Sequence, residues 1–321
     1  MTTISIQSLL TQKLGNPLVS NYLDFYPEDA QGKSIFKLSQ SVKWLHQYSR
    51  DLRVQMINVR GKYFYIYEPA QMMNGEIVVP PFFYFNANKL FAKVCKLNLR
   101  ALQSSTVQIS ISGDFSFSSL DLKEILADNL CKPYNEIRLP NHWRVKAQGK
   151  IIRHVPLNFY ADDTSGNLSK QCNKHISIFM SLAGLPPHFS NLEFNTFFVG
   201  TSNIASALEL FTPVNEELNK LSTTGFSAFD FSIQEDVLVL PVVLLFMADS
   251  PMHAEITSTM SPNISLQPCR ICNLKADKKK EKKTAVYVEK FLGRNLNGFL
   301  VCNLFIFLYK KLTILIYFFI K

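Results

Sequence analysis

Four motifs that mark large enzyme classes are absent from this chain of 321 residues. The sequence contains no G-x-x-x-x-G-K-[ST], no H-E-x-x-H, no G-x-S-x-G and no G-x-G-x-x-G. These patterns cradle phosphates, bind zinc, present a nucleophilic serine and bind dinucleotides, respectively. The sequence therefore gives no motif support to a P-loop ATPase, a zinc protease of that type, a serine hydrolase or a Rossmann dehydrogenase.

Cysteine is scarce, and the first residues do not resemble a secretion signal. Six cysteines in a chain of this length do not form a disulfide scaffold. The N-terminal stretch has no basic n-region and no continuous apolar h-region. We therefore expect reduced thiols and a cytosolic or nuclear protein.

Basic residues are also scarce outside one end of the chain. The formal net charge is +9, but residues 275–321 contain eleven Lys and Arg against three Asp and Glu. The preceding 274 residues are close to neutral, which excludes a uniformly basic protein of the histone or ribosomal type. Hydrophobic residues make up 47% of the chain, enough to bury a core.

Hydrophobic spacing predicts a mixed N-terminal region followed by a regular unit. Residues 38–57 have helical spacing, and three aromatic-rich stretches after them are typical of short strands: 62–70, 75–85 and 89–97. The unit that follows is predicted to run strand, strand, strand, helix, strand, at 155–162, 174–184, 192–202, 204–222 and 235–249. Pro241 weakens the front of the last strand and predicts a central piece at 242–248.

These patterns divide the chain into five parts. The predicted parts are a mixed α+β N-terminal region at 1–132, a linker at 133–149, an α/β core at 150–274, a basic linker at 275–294 and a hydrophobic tail at 295–321.

Two predicted strands of the core end in aspartate. Asp162 and Asp249 both follow apolar runs, and Asp163 comes directly after the first. If the two strands are neighbours, their carboxylates meet at one edge and could hold divalent cations for phosphodiester chemistry. The alternative is structural, because aspartate at a strand end often caps a turn or a following helix.

A C-x-x-C pair lies near the end of the predicted core. Cys269 and Cys272 have the spacing of half a tetrahedral zinc site, and no second C-x-x-C follows to complete it. The sequence leaves two interpretations open, a zinc half-site and ordinary thiols.

Lysines follow the core and also flank its acidic end. The run at 278–283 is typical of a nuclear-localisation or phosphate-contacting patch, and equally of a solvated linker. Nearer the acidic edge, two further lysines could meet a nucleic-acid backbone or simply flank a turn. The candidate DNA-binding residues are Lys170, Lys174, Lys278, Lys279, Lys280, Lys282 and Lys283.

The tail is strongly apolar but interrupted by two lysines. Its apolar runs at 298–309 and 312–320 are each shorter than the ~20 residues that span a bilayer, and Lys310 and Lys311 separate them. A membrane anchor through 298–320 is one interpretation. The composition, rich in residues that A/T-rich codons encode, favours translated non-coding sequence instead.

Several phrases of the sequence resemble one transposon-encoded family. The best match lies at 140–275 and contains PLNFYADDTSGN (156–167), SK (169–170), NKH (173–175), AGLP (183–186), TSN (201–203), LEL (208–210), ADSPMHAEI (248–256) and CRIC (269–272). Weaker matches precede it at NPLV (16–19), FYPED (25–29) and YIYEP (65–69). The chain thus resembles fungal DNA-transposon transposases of the Plavaka and CACTA-related kind.

The resemblance implies an RNase H-like core, in which three antiparallel strands precede a helix and a fourth strand. It also implies that Asp162 and Asp249 are catalytic and that these two, with Asp163, bind Mg²⁺. A third acidic ligand comes from a later helix in such enzymes, but this chain leaves the family pattern near Arg294. Glu289 is too close to Cys272 to be a convincing third ligand.

The expected function is therefore that of a truncated, transposase-derived fragment. Its ancestral activity would be metal-dependent DNA cleavage and strand transfer, and we expect no catalysis from the chain as written. The implied partners are transposon-end DNA and further copies of the chain, in the nucleus. Two alternatives stay open, a tail-anchored membrane protein with a partner-binding body and a non-catalytic DNA-binding module.

Overall fold

In the computed structural model, the described residues form two five-stranded sheets and a two-stranded sheet. It describes residues 3–33, 35–59, 61–71, 77–87, 89–98, 103–110, 118–119, 140–165, 174–260, 264–267 and 274–296. The chain is a mixed α/β protein, in agreement with the coarse prediction of the fold class.

The N-terminal part is mainly β-sheet. The strands are β1 (Met56–Val59), β2 (Lys62–Tyr65), β3 (Ala70–Gln71), β4 (Ile77–Asn86), β5 (Lys89–Asn98), β6 (Gln103–Ser110) and β7 (Ser118–Ser119). β1 pairs with β2, and the others form a sheet in the order β6-β5-β4-β3-β7. Helices α1 (Ile6–Leu14) and α2 (Pro17–Ser20) precede them. The predicted aromatic-rich strands are confirmed.

The single helix predicted at 38–57 is wrong. The structure has three separate turns there, Leu38–Gln40, Lys43–Gln47 and Arg50–Leu52, before β1 begins. The Ser41 hydroxyl accepts a hydrogen bond from the amide of Trp44 over 3.1 Å and starts a new turn. Trp44 and Tyr48 are buried, so the apolar spacing reflects packing of short turns rather than one helix.

The second sheet contains the candidate site. Its strands are β8 (Ile152–Ser165), β9 (Lys174–Leu182), β10 (Thr196–Ser202), β11 (Phe226–Asp230) and β12 (Glu235–Ala248). The helices in this part of the chain are α3 (His142–Ala147), α4 (Pro187–Ser190), α5 (Ala207–Thr224), α6 (Ser250–Ile256) and α7 (Ala285–Leu296). The strand order is β10-β9-β8-β12-β11. β8, β9 and β10 are antiparallel neighbours, and β12 returns parallel to β8.

The predicted succession of three strands, a helix and a strand is confirmed, with one addition. The short strand β11 lies between α5 and β12 and pairs antiparallel with β12 at the sheet edge. The predicted linker at 133–149 contains α3, whose Trp143 is buried against the start of β8.

Pro241 does not shorten β12, because its ring faces the side without a partner. The amide of Leu238 donates toward β8, to Ile151 O over 2.8 Å. Amides alternate sides along a strand, so the nitrogen of Pro241 faces away from β8. On that side β11 has already ended, since its last pair is Phe226 with Val239. The strand therefore loses no ladder hydrogen bond at the proline.

The two faces of the second sheet are covered differently. One face packs on α1 and α5 through a large apolar core that includes Leu10, Phe159 and Leu210. The other face is covered at the first halves of β8 and β12 by clusters around Trp143 and Trp44. Beyond these clusters, large apolar side chains in the second halves of the strands are exposed, among them Tyr160 of β8 and Met247 of β12.

Gly184 is the tightest backbone contact beside this sheet. The amide of Asp24 donates to Gly184 O over 2.8 Å, and a Cβ at position 184 would lie 2.2 Å from Asp24 O. We expect Gly184→Ala to lower the free energy of unfolding by about 2–3 kcal/mol in urea titrations, because one backbone segment must move.

Gly15→Ala is the matched control. A Cβ at Gly15 would lie 3.4 Å from its nearest atom, Thr11 O, and its φ of −74° suits alanine. Its effect should stay within about 1 kcal/mol. Equal losses in the two variants would contradict the close contact at Gly184.

Candidate functional site

The register of β8 and β12 places two aspartates side by side. The parallel ladder ends with Ala161 opposite Ala248. Asp162 and Asp249 are the next residues of their chains, so both carboxylates lie at the same edge of the sheet. The structure thus brings together the two residues that the sequence placed at neighbouring strand ends.

The Asp162 carboxylate is held by two local hydrogen bonds. The Tyr160 hydroxyl donates to Oδ2 over 2.6 Å, and the amide of Asp163 donates to Oδ1 over 2.8 Å. The pKa of Tyr160 is raised, first by this hydrogen bond, then by burial and by the charges of Asp162 and Asp249. The phenol therefore lies within the electrostatic reach of both carboxylates.

Asp249 has a structural role as well as a position at the edge. Its Oδ1 accepts a hydrogen bond from the amide of Met252 over 2.8 Å and caps the N-terminus of α6. The structural alternative considered for strand-end aspartates thus describes one oxygen of Asp249. It does not describe Asp162, which lies inside the β8–β9 ladder opposite Ser177.

Asp163 lies on the other face of the sheet from Asp162. Successive side chains of a strand alternate faces, and the hydrogen bond from Tyr160 fixes Asp162 on the face shared with residue 160. Asp163 is exposed and pairs with Ile176 of β9. The structure therefore pairs Asp162, and not Asp163, with Asp249.

The chemistry of the pair suits one hard cation. Carboxylate oxygens are preferred Mg²⁺ ligands, and each has two lone pairs. The hydrogen bonds that Asp162 and Asp249 accept from the described residues leave lone pairs on every carboxylate oxygen. Across the described stretches, no three His, Cys, Asp or Glu side chains group in a way that could hold a metal ion.

Two acidic or imidazole groups of α6 lie near the edge but serve other contacts. Glu255 accepts a hydrogen bond from the amide of Ala207 over 3.0 Å, at the start of α5. The His253 ring lies 6.2 Å from the Phe246 ring, edge to face. Neither contact points to a third ligand.

The candidate DNA-binding lysines fall into two places. Lys174 is the first residue of β9, close in the ladder to the acidic edge, whereas Lys170 lies outside the described residues. In the basic run, four members are exposed and one bonds locally, with Lys282 Nζ 2.9 Å from Ser265 O. The exposed members are Lys278, Lys279, Lys280 and Lys283.

Two further predictions fall outside the described part of the chain. Cys269 and Cys272, the candidate zinc half-site, lie there, as does the hydrophobic tail beyond Leu296. Within the described ranges, no helix combines the length and the apolar character needed to cross a bilayer.

Sequence reasoning missed a buried ion pair beneath the sheet. Asp230 of β11 is fully buried and its Oδ2 lies 2.7 Å from Nε of Arg153 on β8. Its Oδ1 accepts from the hydroxyls of Ser20 and Ser232, over 2.5 and 2.7 Å, and from the Ser232 amide over 2.9 Å. In β11 the apolar Phe229 is exposed and the charged Asp230 is buried, so the sequence gives no signal for this buried charge.

A second polar cluster joins the N-terminal sheet to α3. The Glu68 carboxylate accepts from Arg144, with Nη2 2.6 Å from Oε2, and from the Asn141 amide over 2.8 Å. The Asn141 side chain donates in turn to Gln55 Oε1 and to Ile66 O, both over 3.1 Å. These buried hydrogen bonds fix α3, and with it the start of β8.

The region that joins the N-terminal sheet to β8 is similar to a known protein family, whereas the acidic edge lies outside this similarity. Residues 56–153 are similar to a family described as a domain of unknown function (DUF8591). The match runs from β1 to the second residue of β8, so it includes Glu68, Arg144 and Arg153 but neither Asp162 nor Asp249. No curated protein and no solved structure matches the chain.

Proposed function

We propose that this chain is a transposase-derived fragment with an incomplete RNase H-like core. One observation carries the proposal: Asp162 and Asp249 directly follow the last pair of the parallel β8–β12 ladder, in a sheet that also contains the antiparallel strands β9, β10 and β11. The order of strands and helix, together with the phrases around the two aspartates, supports the same origin. The ancestral activity is metal-dependent DNA cleavage and strand transfer.

The Asp162 and Asp249 carboxylates would hold one Mg²⁺ through their remaining lone pairs. A divalent metal in such a site stabilises charge on the oxygens of a phosphodiester. The Tyr160 hydroxyl orients the Asp162 carboxylate, and the helix cap orients that of Asp249. The two-metal clamp of strand cleavage needs further ligands, so we propose that the fragment binds a cation without turning over DNA.

DNA is the proposed partner, and the nucleus the proposed location. The exposed lysines of the run at 278–283 are available to phosphates. We also propose self-association of the chain. Two further proposals concern residues outside the described ranges: Zn²⁺ binding by Cys269 and Cys272, and membrane attachment through 298–320.

Cation binding tests the proposal directly. We expect the purified chain to bind Mn²⁺, and the decrease of the EPR signal of free Mn²⁺ measures this binding. Asp162→Ala should weaken the binding about tenfold or more, because one of the two carboxylates is lost. Asp236→Ala is the matched control, since Asp236 is exposed near the opposite end of β12.

Two outcomes would contradict the proposal. Mn²⁺ binding that is equally strong in the wild type, Asp162→Ala and Asp249→Ala would remove the cation site. Mg²⁺- or Mn²⁺-dependent cleavage of plasmid DNA that disappears in Asp162→Ala would keep the site but overturn the expected inactivity.

A further inference from the structure

A row of large side chains crosses the open face of the second sheet. Phe198, Phe179, Tyr160 and Met247 occupy paired positions on β10, β9, β8 and β12. Tyr160, Phe198 and Met247 are 39%, 41% and 41% exposed, and Phe179 is half-buried. We call these four residues the aromatic row.

The three rings of the aromatic row form a continuous surface. The Tyr160 and Phe179 centroids are 6.4 Å apart with planes inclined by 35°. Phe179 and Phe198 are 5.8 Å apart, edge to face. These distances are those of ordinary aromatic pairs, so the rings support one another while their outer surfaces stay open to a ligand.

Polar side chains border the aromatic row on both sides. On one side lie Asp162, Ser177 and Thr201, with the two hydroxyls 3.1 Å apart. The other side contains Asn158 and, paired with it, Ser181. The Asn158 Oδ1 atom is buried and accepts no hydrogen bond from any described residue.

The width of the aromatic row limits what can cover it. An amphipathic helix presents an apolar stripe about 100° wide or more and needs a correspondingly broad apolar surface. Across β10, β9 and β8 this apolar surface is one residue wide between two polar rows, and on β12 the residue that pairs with Asn158 is Leu245. A nucleotide base fits this pattern better, because it has an apolar π-face and a rim of hydrogen-bonding groups.

The aromatic row is continuous with the acidic edge through one residue. Tyr160 belongs to the row, and its hydroxyl donates to Asp162. A nucleic-acid strand whose bases lie on the rings would therefore run beside Asp162 and Asp249. These carboxylates repel phosphates, and the divalent cation proposed between them would supply the missing charge complementarity.

We propose that the aromatic row is a stacking platform for unpaired bases of single-stranded DNA. The inference rests on the proposed function and names the substrate class of that site. Two or three bases stack on Tyr160, Phe179 and Phe198, and those polar side chains of the two rows that are exposed contact base edges and sugars. Ca²⁺ or Mg²⁺ at the acidic edge would strengthen this binding.

Fluorescence anisotropy with a labelled oligothymidine of about 12 nucleotides in Ca²⁺ tests the proposal. Losing one base–aromatic stack should weaken binding about five- to 150-fold in Phe198→Ala, while Phe198→Tyr, which keeps a ring, should bind as the wild type does. Phe229→Ala is the matched control, because Phe229 is 42% exposed on β11 of the same sheet, outside the aromatic row.

An abasic oligonucleotide separates stacking from phosphate contacts. It should bind the wild type and Phe198→Ala equally weakly, because only the phosphates remain. Equal affinity of wild type and Phe198→Ala for oligothymidine, or equal affinity of the wild type for duplex and single strand, would overturn the platform. A Phe198-dependent self-association without DNA binding would assign the row to a second copy instead.

Mn²⁺ binding measured without DNA keeps the two proposals apart. Phe198→Ala should bind Mn²⁺ as the wild type does, since Phe198 contributes no oxygen ligand. If Asp162→Ala loses Mn²⁺ binding, but DNA binding is the same in the wild type and in Phe198→Ala, the platform alone is refuted. The absence of any Mn²⁺ binding, with Phe198-dependent DNA binding intact, would refute the cation site alone.

Discussion

Replacing Asp230 by alanine is expected to lower the free energy of unfolding by about 3–5 kcal/mol, because the change leaves the Arg153 guanidinium buried without its partner. The Arg153 side chain is 11% exposed and that of Asp230 is fully buried. Ser20 and Ser232 also lose their acceptor. Urea titration near neutral pH measures the loss.

The size of the effect follows from how fully this carboxylate is satisfied. Burial alone would raise the pKa of Asp230, but hydrogen bonds from Ser20 and Ser232 and the charge of Arg153 outweigh it and lower the pKa. The ionised form is therefore the stable one in the fold. Its contribution is present above the unfolded pKa of about 4 and is lost as the pH falls through the folded value.

Two further variants make the prediction specific. The double variant Arg153→Ala/Asp230→Ala should lose about 1–3 kcal/mol less than the sum of the single changes, because neither charge is then left alone. Asp236→Ala, an exposed aspartate on the neighbouring strand, should stay within about 0.5 kcal/mol of the wild type. Additive single effects would contradict a coupled ion pair.

Acid is expected to destabilise this fold steeply because of one histidine. His154 of β8 is fully buried, and neither ring nitrogen has a hydrogen-bond partner among the described residues. Burial lowers the pKa of His154 to about 3 from 6.5. The neutral form is favoured in the fold, so its stabilisation is complete above pH 6.5 and declines as the pH falls toward the folded value.

The expected loss is about 3 kcal/mol between about pH 7 and about pH 4.5, since each pH unit below the unfolded pKa contributes about 1.4 kcal/mol. Urea midpoints across this range measure it. His154→Leu should flatten the dependence, because it removes the buried imidazole. His188→Leu, which changes an exposed histidine, should keep the acid sensitivity. A steep decline that persists in His154→Leu would assign the sensitivity to other groups.

The sequence predicts the architecture around the site well because the strands follow strong local patterns. The apolar runs before Asp162 and Asp249 are long, and turn residues mark their ends. Which aspartate faces Asp249 depends on a one-residue register, and the hydrogen bond between Tyr160 and Asp162 decides it. Tyr160 and Asp162 can form this contact because side chains two residues apart lie on the same face of a β-strand. The amino-acid composition alone does not predict it.

Tertiary packing determines the features that the sequence does not predict. Residues 38–57 have the spacing of a helix, yet Trp44 and Tyr48 are buried between short turns. In the sequence, Asp230 resembles a turn residue. Its burial depends on Arg153 and Ser20, which come from distant parts of the chain. Pro241 is tolerated only because β11 ends before it.

The parallel pairing of β8 with β12 also sets an order of events in folding. Ile152 pairs with Leu238, and all of β9, β10, α5 and β11 lies between them in the chain. Loop-closure entropy opposes such distant contacts, so they form slowly and after the local hairpins. During synthesis, the β8–β9 hairpin can form early, whereas Asp162 and Asp249 become neighbours only after β12 has left the ribosome. The acidic edge is thus a late product of folding.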